Sequence, residues 1–180
     1  MIILPTSSSR FIRLLFSLAC LAALFCAQAF AAPTERVQVS WASPDKLSEI
    51  KDNQMARGWL RPEEWMRQLS SELRRAGERT LPNGQQLQVT INDIKLAGSF
   101  EPWRRPGQED VRILKDIYPP RVDLHYKLLA SDGSTIREGD SKLRDSAYLM
   151  RSDIHSTDPL RFDKRLLSEW VRKEFANRSS

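Results

Sequence analysis

Val122-Asp123-Leu124-His125-Tyr126-Lys127-Leu128, the turn Ser131-Asp132-Gly133-Ser134, and the return from Thr135 to Leu143 decide the fold. Val122, Leu124, Tyr126 and Leu128 alternate with polar residues, which is the period of a half-buried strand. A Ser-Asp-Gly-Ser turn between two such runs predicts a β-hairpin. Upstream, Leu87, Val89 and Ile91 alternate in the same way. The apolar phase then shifts to Ile94 and Leu96, which places a β-bulge near Asn92-Asp93. Three successive strands with this patterning favour an antiparallel meander. Val37-Gln38-Val39-Ser40-Trp41 is a fourth strand, stopped by Ser43-Pro44.

Two helices accompany the strands. Pro44 to Ile50 reads as a short helical turn only. Arg61-Pro62-Glu63-Glu64 has proline in the first turn and two acids at the positive end of the helix dipole. Trp65, Leu69 and Leu73 follow at i, i+4 and i+8, with Met66 and Ala76 beside them. Leu81-Pro82-Asn83-Gly84 ends that unit in a turn. Asp158-Pro159 is expected to open the last helix, with Asp158 as its N-cap. Leu160, Leu167, Trp170, Val171 and Phe175 form its buried face. Each helix has one apolar face, so both should cover the same side of the sheet. The expected class is α+β: two layers, with a mainly antiparallel four-stranded sheet and two helices packed on one face.

The composition says where the chain goes. Its 180 residues carry a net charge of +5 and two cysteines. Residues 1–31 hold both cysteines, two of the 28 basic residues and none of the 23 acidic ones. Arg10 and Arg13 precede an apolar run from Leu14 to Phe25, and Ala29-Phe30-Ala31 follows. A basic start, an apolar run of about 12 residues and an A-x-A site describe a secretory signal peptide. Cleavage after Ala31 is the expectation. A retained anchor would need ~20 apolar residues. Lipidation fits neither Cys20, with Ser17 three before it, nor Cys26, with Phe25 before it. Residues 32–180 then form a single domain with 26 basic and 23 acidic residues, net +3, and no cysteine. The expected location is the periplasm or outside the cell, with no stable membrane insertion after cleavage.

Most chemistries lack their residues. A cysteine-free mature chain has no thiol nucleophile. Two histidines, His125 and His155, are too few for most histidine metal sites, and no metal or cofactor is expected. His125 lies on the opposite strand face from Leu124 and Tyr126, as a solvated histidine would. There is no glycine-rich phosphate loop, H-E-x-x-H or G-x-S-x-G. Basic and acidic residues are interspersed, which speaks against nucleic acid. An enzyme is therefore disfavoured. The enzymatic alternative is a carboxylate-dependent hydrolase using Asp93, Asp116 and Asp145. A purely structural envelope protein is the third reading.

The stretch from Gly98 to Arg121 is the most distinctive. It holds Trp103, Arg104, Arg105, Asp110, Arg112, Asp116 and Arg121 among four prolines. Long loops of this kind are usually functional or disordered, and interface hot spots favour Trp and Arg. These seven are the candidate binding residues, for an envelope protein or a small ligand. The competing use is structural: Trp103 and Tyr118 tuck under the sheet, and the arginines pair with Asp110, Asp116 and Asp93 to hold the loop down.

Several segments together resemble one family. They are Val39 to Pro44, Leu81 to Leu87, Asp93 to Gly98, Phe100 to Trp103, Asp110 to Ile113, Asp116 to Arg121, Lys142 to Asp145, and Asp158 to Lys164. In this order they resemble the domain of unknown function 3016 family of exported bacterial proteins, over nearly all of the mature chain. The chain departs from the family pattern at Lys95 and at Phe162-Asp163. The resemblance implies export and a single domain, and it implies no reaction.

Overall fold

Strand β1 (Val37–Trp41) pairs in parallel with β2 (Gln86–Lys95), in the register Val37 to Leu87 through Trp41 to Ile91. β2 pairs antiparallel with β5 (Arg121–Leu129), and β5 with β6 (Thr135–Arg144). The sheet order is therefore β1-β2-β5-β6. This computed structural model describes residues 35–53, 60–101, 103, 107, 110–151 and 156–176. The signal-peptide reading, Gly58, Arg104, Arg105 and His155 lie outside the described residues. Contacts group Glu35–Ser180 into one compact unit. No helix among the described residues is long and apolar enough to cross a membrane.

A 3₁₀ turn (Pro44–Lys46) and the one-turn helix α1 (Ser48–Asp52) follow β1. The crossover to β2 is completed by α2 (Pro62–Thr80), with Pro62 at its first position and two glutamates in its first turn. A parallel pair needs such a crossover, because a tight turn only reverses the chain. The last helix is α3 (Arg161–Phe175). The mixed sheet, mostly antiparallel, and the helices give the expected α+β class.

The sheet's apolar face and both long helices make one core. Val37, Leu87, Val89, Ile91, Ile94, Val122, Leu124, Tyr126 and Leu128 face Trp65, Leu69, Leu73, Leu167, Trp170 and Val171. Burial switches from odd to even positions across Asn92, where the register between β2 and β5 shifts. The bulge is thus where the apolar phase predicts it. At the hairpin tip, Gly133 has φ 83°, and Asp132 Oδ1 accepts bonds from the Ser134 N–H and hydroxyl.

Two local readings are corrected. The last helix starts at Arg161, not Asp158: the Asp158 carboxylate accepts the Leu160 N–H at 2.9 Å, in a turn ahead of the helix. The 98–121 stretch is not wholly irregular. β3 (Ser99–Phe100) and β4 (Arg112–Ile113) form a two-residue antiparallel ladder, too short for any alternation to show.

α2 lies close to β1 because position 77 is glycine. A Cβ there would stand 2.6 Å from Val37 Cγ2, in the core. Gly77→Ala would gain up to ~1 kcal/mol of helix propensity. We expect overpacking, at about 1–3 kcal/mol, to win. A urea denaturation midpoint below wild type checks this, and a higher midpoint contradicts it.

Candidate functional site

The end of β2 is held by three buried charged side chains drawn from three distant segments. The Arg112 guanidinium pairs with Glu49 of α1, Nη1 to Oε1 at 2.7 Å and Nη2 to Oε2 at 3.2 Å. Both side chains are buried. The same guanidinium donates to the carbonyls of Leu96, Ala97 and Gly98 at 2.9, 2.6 and 3.0 Å. Glu49 Oε2 accepts the Leu96 N–H at 2.9 Å, and Asp163 Oδ1 of α3 accepts the Ala97 N–H at 3.0 Å. The planar fork of arginine suits this bidentate geometry, and Phe100 lies under it at 5.2 Å. The three carbonyls and the first two N–H groups of Leu96-Ala97-Gly98 are thereby satisfied by side chains at a point where the sheet ladder has ended. Gly98 has φ 84°, and a Cβ there would meet the Ile113 carbonyl at 2.8 Å.

The 98–121 loop is fastened around this clamp. The Gly98 N–H donates to the Tyr118 carbonyl at 2.9 Å. Glu101 is buried and accepts from Lys115 and from the Tyr118 hydroxyl at 2.9 Å. Tyr148, fully buried, donates to the Lys115 carbonyl at 2.9 Å and packs edge-on against Phe162. Ala97, Tyr148 and Phe162 form a second small core under the loop.

A family model described as "Protein of unknown function (DUF3016)" matches residues 35–173. The chain belongs to this family. No curated protein and no solved structure is significantly similar to it. Segments of the DUF3016 resemblance that lie far apart in sequence meet at the clamp: Leu96 to Gly98, Arg112 and Asp163.

The candidate binding residues fall into different environments. Arg112 is buried in the clamp, with Glu49 as its partner. Trp103 is 75% exposed, so it does not tuck under the sheet, and Ile117 is 71% exposed. Asp110, Asp116 and Arg121 are exposed. Arg121 opens β5 directly between Lys95 and Arg144, all three in polar phase with the solvent face of the sheet. Lys95 pairs with Asp52 at 2.9 Å, and Arg144 reaches Ser146. Like charges directly opposite on a sheet are destabilising.

The three carboxylates of the hydrolase reading have separate settings. Asp93 accepts the Ser48 N–H at 2.7 Å and its hydroxyl at 2.8 Å, fixing the start of α1. Asp145 accepts the Ala147 N–H and bonds Arg151 and Arg165. Asp116 is exposed on the loop. No group of three or more His, Cys, Asp or Glu side chains among the described residues is placed to hold a metal ion. His125 stands on the solvent face between Asp140, at 2.9 Å, and Glu138, at 3.1 Å. Their hydrogen bonds, Asp140 first, raise its pKa above the ordinary histidine value.

Glu49, Glu101, Lys115 and Asp163 were not legible as loop anchors. For Asp163 a signal exists: it is spaced by four from Leu167 and by seven from Trp170, on the apolar stripe of α3. A carboxylate on such a stripe needs a buried partner or a proton. Asp163 Oδ2 is buried without a hydrogen-bond partner, and burial pushes the carboxyl up from 3.8 to about 7.

Two predictions follow from the clamp. Breaking a buried pair leaves an uncompensated charge, so Arg112→Met should cost about 3–5 kcal/mol in chemical denaturation. A loss under about 1 kcal/mol, the range of exposed pairs, would mean the clamp is not needed. Between the unfolded carboxyl value of 3.8 and the folded value of about 7, folded Asp163 keeps a proton that the unfolded chain releases. Its stabilising contribution is full below the lower value and is lost as pH rises through the upper one. Asp163→Asn should therefore flatten the fall in denaturation midpoint between about pH 4 and about pH 7. An unchanged pH profile in the variant contradicts this.

Proposed function

We propose that the chain is an exported, non-catalytic interaction domain that presents the 98–121 loop to an envelope protein or small ligand. One observation carries the reading. The loop is fastened from beneath by Arg112, Glu101, Lys115 and Tyr118, yet it exposes Trp103 and Ile117 to solvent. Ile117 lies between the fastened residues Lys115 and Tyr118, which lowers the ordering cost of binding there, and exposed tryptophan is the side chain favoured at hot spots. Arg121, at the end of the loop, supports a partner with negative charge. Its neighbours across the strands are both cations, and although Asp52 pairs with Lys95, a further acidic group beside Arg121 and Arg144 relieves the remaining repulsion. Export rests on the basic start, apolar run and A-x-A site of residues 1–31.

A photo-crosslinking residue at Ile117 tests the loop in intact cells. Ile136, 48% exposed on β6, is the control position. A discrete crosslinked species from position 117, absent from position 136 and lost with Trp103→Ala, is the expected result. Equal crosslinking from both positions, or none from either, contradicts the loop assignment. Osmotic-shock fractionation should release a chain whose first residue is Ala32, and retention of the intact chain with the cytoplasm contradicts export.

A further inference from the structure

The two outer strands of the sheet are guarded very differently. β6 carries Arg137, Glu138, Asp140, Lys142 and Arg144 over ten residues. Charges of this density deter pairing with another chain. β1 carries no charged residue and no proline over Val37–Trp41, and its register with β2 is unbroken.

The backbone phase of β1 is fixed at both ends. The Arg36 carbonyl accepts the Leu87 N–H at 2.8 Å, and the Ala42 N–H donates to the Ile91 carbonyl at 2.8 Å. In a parallel ladder alternate residues bond to one neighbour, so Gln38 and Ser40 also face β2. Val37, Val39 and Trp41 therefore turn their N–H and C=O groups to the outer edge. No described strand pairs with them.

A groove of about 400 Å³ lies beside that edge, between the end of β1 and the first half of α2. Trp41, Pro44, Pro62 and Met66 give it an apolar lining, and Glu63, Arg67 and Arg74 also line it. The Trp41 indole is fixed by its N–H bond to Ser70 at 2.9 Å and by edge-on contact with Trp65.

We propose that the β1 edge and this groove form a strand-addition site for an extended peptide of a partner protein. Val37 is fully buried, so the open part of the edge is Val39 and Trp41, whose outward N–H and C=O groups have no partner among the described residues and demand a backbone. Side chains on an added strand alternate between faces. Every second one points to the helix side, where the groove takes an apolar residue and the next position on that side meets arginine. The peptide recognised is thus apolar and acidic at alternate helix-side positions. Arg67 has no ion pair among the described residues. Arg74 has Glu35 at 2.6 Å, both part-exposed. A second copy of this chain fits the site poorly, because its own β1, Val37-Gln38-Val39-Ser40-Trp41, carries no acid to meet Arg67.

The test uses short synthetic peptides that alternate threonine with, in turn, leucine and glutamate, or with leucine and lysine. Amide hydrogen exchange and chemical shifts of the full chain are the readouts. The glutamate peptide should slow exchange of the Val39 and Trp41 amides by roughly tenfold or more at saturation, as strand addition requires. Val39→Pro deletes an outward donor and keeps the bonds to β2. It should leave the circular dichroism spectrum unchanged and weaken binding at least about tenfold. Arg67→Glu, an exposed change that does not touch the ladder, should weaken the glutamate peptide and favour the lysine one. It decides the matter if Val39→Pro unfolds. Protection absent from β1 at millimolar glutamate peptide overturns the proposal. So does binding that ignores Arg67→Glu, or a sedimenting dimer whose β1 amides are protected without peptide.

Discussion

The bonds around the Arg112 guanidinium organise one whole end of this molecule. β2 leaves the sheet at Lys95, and the next three residues have no strand to bond. Arg112 supplies donors to all three carbonyls, while Glu49 and Asp163 accept two of the N–H groups. The charges that do this come from β4, α1 and α3, so those elements are tied to one short run of backbone. A buried ion pair gives little net stability by itself, because desolvation opposes it. Its effect here is to specify geometry. If Arg112 left, Glu49 would be a buried anion, and three carbonyls would lose a donor.

The same constraint explains the two characters of the 98–121 loop. Its inner side chains are taken up: Arg112 by Glu49, Lys115 and Tyr118 by Glu101, and Gly98 by its close approach to Ile113. Trp103 and Ile117, by contrast, stand in solvent. The candidate binding residues of this loop thus divide between two settings: Arg112 is buried in the clamp, while Trp103 and Arg121 are exposed.

The sheet was legible in the sequence because alternation is a local signal. Val122 to Leu128 and Leu87 to Ile91 each declare their inward face, and the phase change to Ile94 declares the bulge. Parallel pairing of β1 was not legible, since alternation within one strand says nothing about its neighbour. The clamp was illegible for a related reason. Glu49, Arg112 and Asp163 are separated by 63 and 51 positions, and nothing local marks a glutamate in a one-turn helix as buried. Only Asp163 betrayed itself, as an acid on an apolar stripe. The β3–β4 ladder is two residues long, and a period cannot be read from two residues.

An open sheet in a two-layer fold has two surfaces to manage, its uncovered face and its edges. The uncovered face is managed by charge pairing across strands: His125 with Asp140 and Glu138, and Lys127 with Glu138. These exposed pairs contribute little energy, but they keep the face polar and matched. At the clamp end Lys95, Arg121 and Arg144 stand in a row, and the acid that meets Lys95 is Asp52 of α1 rather than a residue of a neighbouring strand. On β6 the edge is charged, and on β1 it is bare. Deviations from the protective pattern therefore occur at two places, the cation row beside the loop and the uncharged edge beside Trp41. On β1 the charge that would close the edge fits only at the exposed positions Gln38 and Ser40, because Val39 packs against the core, where a lysine would bury its charge.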